Sequence, residues 1–177
     1  SSRGLPVNVL LLSMPDSFEH MPALAMRMPN GALSSLAGNV DAHHRVRVAD
    51  LISVIVTTWN REDALDAVLR SLSLQTDRDF EVIIADDGSG AGTAKLVAEW
   101  QGKLGRPLKH LWQEHRGSRA AEIRNRAILA SEGAYCIFLD GDCIARPGFI
   151  ATHRQLSEKG WFVTGNRVLL SQELTER

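Results

Sequence analysis

Cysteine, surplus charge and long apolar runs are all scarce in this chain of 177 residues. Cys136 and Cys143 are its two cysteines, too few for a disulfide framework, so we expect reduced thiols and a cytoplasmic location. No apolar run reaches the roughly 18–20 residues of a membrane span, and no signal peptide is evident. Lysine and arginine number 20 against 21 acidic residues, a net charge of −1. Proteins that bind nucleic-acid backbones carry a basic surplus, so this balance argues against a nucleic-acid partner.

What the chain does contain is an alternation of short apolar runs with amphipathic segments. The runs are rich in Val, Ile and Phe and are bounded by Gly and Asp, as buried strands are. Alternating strands and helices predict an α/β domain of three layers, α/β/α, around a mostly parallel, doubly wound, Rossmann-like sheet. In residues 51–177 the predicted strands are LISVIVTTW, FEVIIAD, LKHLWQ, YCIFLD and WFVTGNRVLL, and the predicted helices are Arg61–Leu74, Thr93–Trp100, Ser118–Ser131 and Gly148–Lys159.

Two acidic clusters stand where predicted strands end. ADDGS occupies residues 85–89 after one strand, and DGD occupies residues 140–142 after another. Ligands of open α/β sheets bind beyond the carboxyl ends of the strands, so both clusters are placed for binding. Carboxylates converging there suit a hard divalent cation together with a ribose or a phosphate. The structural alternatives are an ordinary Asp-Gly turn for the first cluster and a solvated loop for the second.

Two further segments offer polar groups of a suitable kind. Thr57 and Asn60 follow a strand and precede a helix, where small polar residues donate to a nucleotide or cap the helix; for Asn60 the cap is the simpler interpretation. Arg124 and Asn125 lie within a predicted helix. Arginine suits bidentate contact with a phosphate, although a lone helical arginine is commonly solvated. We expect His110, His115 and His153 at the surface, and Trp59, Trp100, Trp112 and Trp161 in the core or in the wall of a cleft.

Together these segments resemble the nucleotide-binding half of family-2-type GT-A glycosyltransferases over residues 52–177. SVIVTTWNR matches the opening strand and turn of that family, and DFEVIIADDGS matches its second strand and acidic turn. AAEIRNRAILASEGAYCIFLDGDCIARPGFI matches its helix, strand and DxD segment, and VTGNRVLLSQELT is similar to its following segment. Several ordered segments at the family spacing make the resemblance specific, and it implies the GT-A fold.

The resemblance implies a binding role for particular residues. Thr57, Asn60 and Asp87 would lie around the nucleobase, with uracil expected, and its ribose. Arg124 and Asn125 match the family's Arg-Asn pair near the donor pocket.

The resemblance also implies a metal and a reaction. Asp140 would meet the ribose or the ion, and Asp142 would ligate Mn²⁺ or Mg²⁺ bridging the diphosphate. The expected reaction transfers a sugar from a nucleotide-sugar, UDP-linked by expectation, to a hydroxyl of a saccharide or lipid-linked acceptor with inversion. Such a transfer needs a general base to deprotonate the acceptor hydroxyl.

The chain departs from the family pattern after Asp142. Its remaining acids are Glu158, Glu173 and Glu176, none of them in the expected context for that base, so the catalytic residue stays unassigned. We expect residues 51–177 to be the nucleotide-sugar-binding region, truncated before the acceptor-binding segment. The alternative is an inert or structural α/β fragment, from a fusion or an engineered splice, with weak nucleotide binding. An exposed sheet edge in either case favours a homodimer.

Residues 1–50 are predicted to form a separate strand–helix–strand unit packed onto the same sheet. VNVLLL and HHRVRVADL are its predicted strands, and GALSSLAGNV is its predicted helix. VNVLLLSMPDSF resembles the start of the flavodoxin-like, cobalamin-binding domain of radical-SAM proteins. It lacks the Asp-x-His-x-x-Gly loop through which some cobalamin proteins ligate cobalt, so we do not expect it to bind the cofactor.

Overall fold

A computed structural model describes residues 51–158 and 161–171 of the chain. Four parallel strands form its sheet: β1 (Ile52–Thr58), β2 (Phe80–Asp86), β3 (Leu108–Trp112) and β4 (Tyr135–Asp140). The helices are α1 (Glu62–Ser73), α2 (Ala91–Lys103), α3 (Ala120–Ala130) and α4 (Phe149–Leu156).

The strand order is β3-β2-β1-β4, so the chain moves outward from β1 to β3 and then returns to the other side of β1. This reversal is a topological switch point, and it opens a crevice beyond the carboxyl ends of β1 and β4. The register places Thr57 directly opposite Asp140 and Thr58 opposite Asp86. Three segments that are distant in sequence therefore end side by side.

The sheet is covered on both faces, which confirms the predicted three-layer α/β class. Alternate residues of β1 point to opposite faces, with Val54 and Val56 on one and Ile55 on the other. Helices α1, α2 and α4 cover the first face through residues such as Leu69. Helix α3 covers the second face through Ile123 and Ala127. β2 and β4 have the predicted bounds because a turn signal limits each one.

One predicted element is wrong. Residues 161–170 are neither strand nor helix, although WFVTGNRVLL has a strand-like composition. A strand is stabilised by hydrogen bonds to a neighbouring strand, and no other part of residues 51–158 or 161–171 pairs with this segment. The two strands and the helix predicted within residues 1–50 lie outside the described residues.

A buried carboxylate at the amino-terminal end of the strands has a structural role. Glu81 accepts hydrogen bonds from Ser53 Oγ at 2.7 Å and from the Glu132 amide at 2.6 Å. Lys109 Nζ lies 2.9 Å from its second oxygen. Burial raises the pKa of Glu81, but these bonds outweigh it and hold the pKa below its ordinary value. The network joins β1, β2 and β3 to the turn before β4, at the edge of the sheet opposite the crevice.

His153 on α4 is buried, contrary to the surface position expected for it. Its side chain is 4% exposed, stands edge-on to the Phe149 ring and has its Nδ1 3.1 Å from the Tyr135 hydroxyl. Burial lowers the pKa of His153 to about 4. The unfolded chain, with an ordinary histidine pKa of about 6.5, binds more protons than the folded protein between these values.

The contribution of His153 to stability is therefore full above about pH 6.5 and is lost as the pH falls towards 4, with a total loss of about 3 kcal/mol. Urea unfolding between pH 7 and pH 4.5 measures this loss. His153→Leu, which cannot titrate, is expected to flatten the dependence. The lowered pKa values of Asp77, Glu81 and Asp86 remove stability progressively below about pH 5, and they do so in the parent and in His153→Leu alike. Equal pH slopes in the parent and the variant would contradict the assignment.

Candidate functional site

Two adjoining cavities open where β1, β2 and β4 end. The larger, of about 380 Å³, lies between the ends of β1 and β2 and the start of α3. The smaller, of about 250 Å³, lies at the switch point between β1 and β4. Thr57, Thr58 and Trp59 line both of them. The residues completing the larger are Ala85, Asp87, His115, Ser118, Ala120 and Ile123.

Asp87 is the carboxylate of the larger cavity. It is 7% exposed, and its two oxygens accept from Gln113 Nε2 at 2.6 Å and from the Arg119 amide at 2.9 Å. These donors come from the segment between β3 and α3, so the carboxylate is held at a fixed place in the wall. A carboxylate oxygen accepts more than one hydrogen bond, which leaves Asp87 able to accept an N–H or O–H from a ligand.

The neighbouring Asp86 is buried and structural. One of its oxygens accepts from the Ser89 amide at 2.7 Å, and the other lies 2.9 Å from His110 Nε2. Burial raises the pKa of Asp86, but the hydrogen bonds from His110 and Ser89 outweigh it, so the pKa lies below its ordinary value. Asp86 closes the turn that presents Asp87. Of the two acids, Asp86 therefore supports the turn and Asp87 lines the cavity.

Two stacked rings form one wall of the larger cavity. The Trp59 and His115 rings lie 4.5 Å apart between centroids with an interplanar angle of 10°. His115 Nδ1 is 2.9 Å from the Asp87 carbonyl oxygen, so this nitrogen carries the hydrogen. Trp59 is nevertheless 52% exposed, an unusual position for an indole. A flat apolar surface beside a carboxylate is suited to a planar heterocycle.

Asn60 joins two turns and does not cap the following helix. Its backbone has a φ of 49°, its amide donates to Ser89 Oγ at 2.9 Å, and its side-chain oxygen accepts from the Gly90 amide at 3.0 Å. The N-cap of α1 is Arg61, which makes no side-chain capping bond. The structure therefore places Asn60 as a clamp between the turns that follow β1 and β2.

Arg124 reaches from α3 to the switch point. Its Nη2 donates to Asp140 Oδ1 at 3.0 Å and to Thr57 Oγ1 at 3.3 Å. Thr57 Oγ1 also lies 3.4 Å from the same aspartate oxygen. The carboxylate of Asp140 is thus already partly neutralised by a guanidinium. The adjacent Asn125 is exposed on α3 and lines neither cavity.

The smaller cavity brings two acids and two arginines together. Asp140, Gly141, Asp142, Arg61 and Arg167 complete its lining. Asp142 is exposed, and the Cys143 thiol lies 3.6 Å from its Oδ1. Burial raises the pKa of Cys143, the charges of Asp142 and Asp140 add to the rise, and Arg167 opposes it. Gly141 is required here because a Cβ at this position would stand 2.4 Å from the Thr57 carbonyl oxygen.

Unpartnered polar atoms are concentrated around these cavities. In residues 51–158 and 161–171, five buried side-chain nitrogen or oxygen atoms have no hydrogen-bond partner, and three surround the site. They are Thr58 Oγ1, Gln113 Oε1 and Arg124 Nε. Buried polar atoms ordinarily find partners, and of these three only Thr58 Oγ1 belongs to a residue that lines the cavities, so it is the point where a bound ligand would complete the hydrogen bonding.

Residues 53–177, which contain both cavities, match the family model of glycosyl transferase family 2. The chain belongs to family 2. The match includes β1 from its second residue, the other three strands and both cavities, and it confirms the resemblance found in the sequence.

Relatives show how much of a family 2 protein this chain represents. It is 35% identical over 102 residues to a validoxylamine A glucosyltransferase of Streptomyces hygroscopicus subsp. limoneus, a match covering 56% of this chain and 22% of that protein. A chondroitin synthase of Pasteurella multocida is 32% identical over 157 residues, covering 88% of this chain and 15% of the synthase. The chain thus spans less than a quarter of the length of these relatives. The second match is longer than residues 51–177 and so includes part of residues 1–50.

Solved structures share the fold. S. aureus TarS (residues 1–349) in complex with UDP has a TM-score of 0.51 and 30% identity, covering 57% of this chain and 30% of that one. The mannosyltransferase PcManGT of Pyrobaculum calidifontis, in complex with GDP-Man and Mn²⁺, has a TM-score of 0.53 and 24% identity, covering 61% and 32%. These likenesses place the four-stranded sheet of this family 2 chain in the GT-A fold.

The carboxylates of the smaller cavity fit a hard divalent cation. No three acidic, histidine or cysteine side chains gather into a ready metal cage within the described part of the chain. Mg²⁺ is commonly held by one or two carboxylates, with substrate phosphates and water completing its shell. Asp142 offers a solvent-facing carboxylate of this kind, and Asp140, paired with Arg124, is the other carboxylate of this cavity.

Sequence reasoning did not assign three residues of this family 2 site to ligand binding: Thr58, Trp59 and His115. Trp59 lies in a cleft wall, one of the two positions expected for it, whereas His115 lines the larger cavity instead of the open surface. A polar residue beside an aromatic one directly after a strand was the available signal for Thr58 and Trp59. Nothing in the sequence indicates that His115 returns to stack on Trp59.

No helix among the described residues combines the length and apolarity needed to cross a bilayer.

Proposed function

We propose that this chain provides the donor-binding region of a family 2 glycosyltransferase, with a UDP-linked sugar as donor. The observation that carries the proposal is the convergence of Asp87 and the Asp140–Asp142 pair on two adjoining cavities at the carboxyl ends of the strands. A nucleotide-sugar has the same division, with a flat base at one end and a charged diphosphate at the other.

The larger cavity is suited to the base and ribose. Trp59 offers an exposed indole face, and base–aromatic stacking is worth about 1–3 kcal/mol. The fixed Asp87 carboxylate accepts an N–H from the edge of the base, such as the N3–H of uracil. Thr58 Oγ1, buried without a partner, is available to a ribose hydroxyl or a phosphate at the junction of the two cavities.

The smaller cavity is suited to the diphosphate and a divalent cation, Mn²⁺ or Mg²⁺. Asp142 would hold the cation, and Asp140 would assist or would meet the ribose while Arg124 keeps it in place. A bound cation supplies Lewis-acid stabilisation of the charge that develops on the departing nucleoside diphosphate. Thr57 contributes by fixing the Asp140 carboxylate from the facing strand.

The complete reaction is the transfer of the sugar to a hydroxyl of a saccharide or lipid-linked acceptor with inversion. Glu158 is the one carboxylate after Asp142 within the described residues; it is exposed and lines neither cavity. The general base therefore stays unassigned. The second candidate is a structural α/β fragment that keeps the fold and binds nucleotides weakly.

Calorimetric titration separates the two candidates. UDP is titrated into the 177-residue chain with Mn²⁺ and again with EDTA, and GDP and dTDP serve as competitors. Manganese-dependent binding with UDP preferred supports the donor site. Absence of binding to all three nucleotides would leave the structural fragment.

The indole of Trp59 provides a test of where the base binds. Trp59→Ala is expected to weaken UDP binding by roughly tenfold, because stacking contributes about 1–3 kcal/mol per base. Trp161→Ala is the matched control, since Trp161 is 59% exposed and lines neither cavity. Both affinities come from the same titration. An equal effect of the two substitutions would place the base elsewhere.

A further inference from the structure

Arg167 lies on a segment that returns to the site after the last helix. Residues 161–171 form neither strand nor helix, yet Val163 packs against the core cluster between the sheet and α3. Four residues later, Arg167 lines the smaller cavity together with Asp142 and the two threonines at the end of β1. An arginine on an exposed segment is ordinarily solvated. The shared cavity distinguishes this one.

Four charged side chains line the smaller cavity, two of them acidic and two basic. Asp140 is paired with Arg124, and Arg61 is paired with Asp63 at 3.1 Å. Asp142 and Arg167 are the other charged side chains of the lining. Guanidinium groups present a fork of donors that matches the oxygens of a phosphate, so arginines that line a cavity beside the carboxylates of a candidate cation site suit a diphosphate.

We propose that Arg167 binds the diphosphate of the donor, and that residues 163–167 act as a strap between the α3-side core and the metal-binding end of the site. The inference rests on the proposed donor-binding function and adds a residue to it. It also explains why an exposed segment without secondary structure is anchored by a side chain that packs against the core.

The test compares a ligand that has phosphates with one that lacks them. UDP and uridine are titrated in the presence of Mn²⁺ into the parent chain, Arg167→Ala and Arg167→Lys. The control is Arg70→Ala, which removes an exposed arginine near the end of α1, at the edge of the sheet away from the cavities. Arg167→Ala is expected to weaken UDP binding roughly tenfold to a hundredfold, the usual range for a charge-assisted hydrogen bond, and to leave uridine binding within about twofold. Lysine keeps the charge without the fork, so Arg167→Lys is expected to lie between.

The outcomes separate the two proposals. A parent chain that binds UDP, with an Arg167→Ala variant that binds it equally well, would overturn the role of Arg167 and leave the donor site standing. Equal losses for UDP and uridine would also overturn it, since the side chain would then act through the fold or the base pocket. A parent chain that binds no nucleotide would overturn the donor site and this inference with it. Thermal unfolding of each variant shows that losses of affinity are not losses of fold.

Discussion

Asp142→Ala is expected to weaken manganese-dependent UDP binding at least about tenfold. Loss of groups that only orient a metal ligand typically costs 10–100-fold in metal affinity, so loss of a ligand carboxylate costs no less. Asp142 is exposed at the switch point and contacts the Cys143 thiol, so its removal leaves the core intact. The measurement is UDP titration with Mn²⁺ and with EDTA.

A distant acid provides the control for this substitution. Asp79 is exposed at the amino-terminal end of β2, at the opposite edge of the sheet. Asp79→Ala changes the net charge by the same amount and is expected to bind UDP as the parent does. Under EDTA the parent should fall to the level of Asp142→Ala. An Asp142→Ala variant with the affinity of the parent, in both conditions, would remove Asp142 from the donor site.

Gly88→Ala is expected to destabilise the fold by about 2–4 kcal/mol, through strain and overpacking together. Gly88 has a φ of +94°, where a side chain is disfavoured, and an added Cβ would stand 2.4 Å from the His115 amide nitrogen and 2.8 Å from its Cα. His115 cannot easily withdraw, because it is held by the Asp87 carbonyl and by the Trp59 ring. The same strain would distort the larger cavity and weaken UDP binding.

Gly90 is a control two residues away. Its φ is −74°, and an added Cβ would meet nothing within 4 Å. Thermal unfolding is expected to show a melting temperature lower by about 5–15 °C in Gly88→Ala and little changed in Gly90→Ala. Melting temperatures that agree within about 2 °C would mean that the turn accommodates a side chain at residue 88, contrary to the packing described above.

The elements of the fold were predictable where local signals were strong. β2 and β4 have the predicted ends because apolar runs stop there at acidic turns. Helix α2 extends from Ala91 to Lys103, beyond the predicted Thr93–Trp100, since glycines near both of its ends weaken the helical signal without preventing the helix. Residues 161–170 show the opposite error. Their composition favours a strand, but a strand also requires a partner that no local pattern reveals.

The candidate site was predictable in part for the same reason. Thr57, Asp87, Asp140 and Asp142 line the cavities, as expected of polar residues placed at the ends of parallel strands. Asn60 is engaged as a clamp between turns, and Asn125 is exposed on α3. The sequence contains no sign of these differences, because they depend on turn conformations and on which side of a helix faces the sheet.

Order along the chain was enough to establish the family, the alternation of strands and helices, and the placement of acids at strand ends, since all three are local or periodic properties. The different roles of the four acids are decided only by the tertiary structure. Asp86 is a support and Asp87 a cavity residue, while Asp140 is paired with Arg124 and Asp142 faces solvent. The roles of Asp86, Asp87 and Asp140 depend on partners 16 to 32 residues away in sequence. A hydrogen bond or an ion pair forms only when folding brings its two groups within about 3 Å.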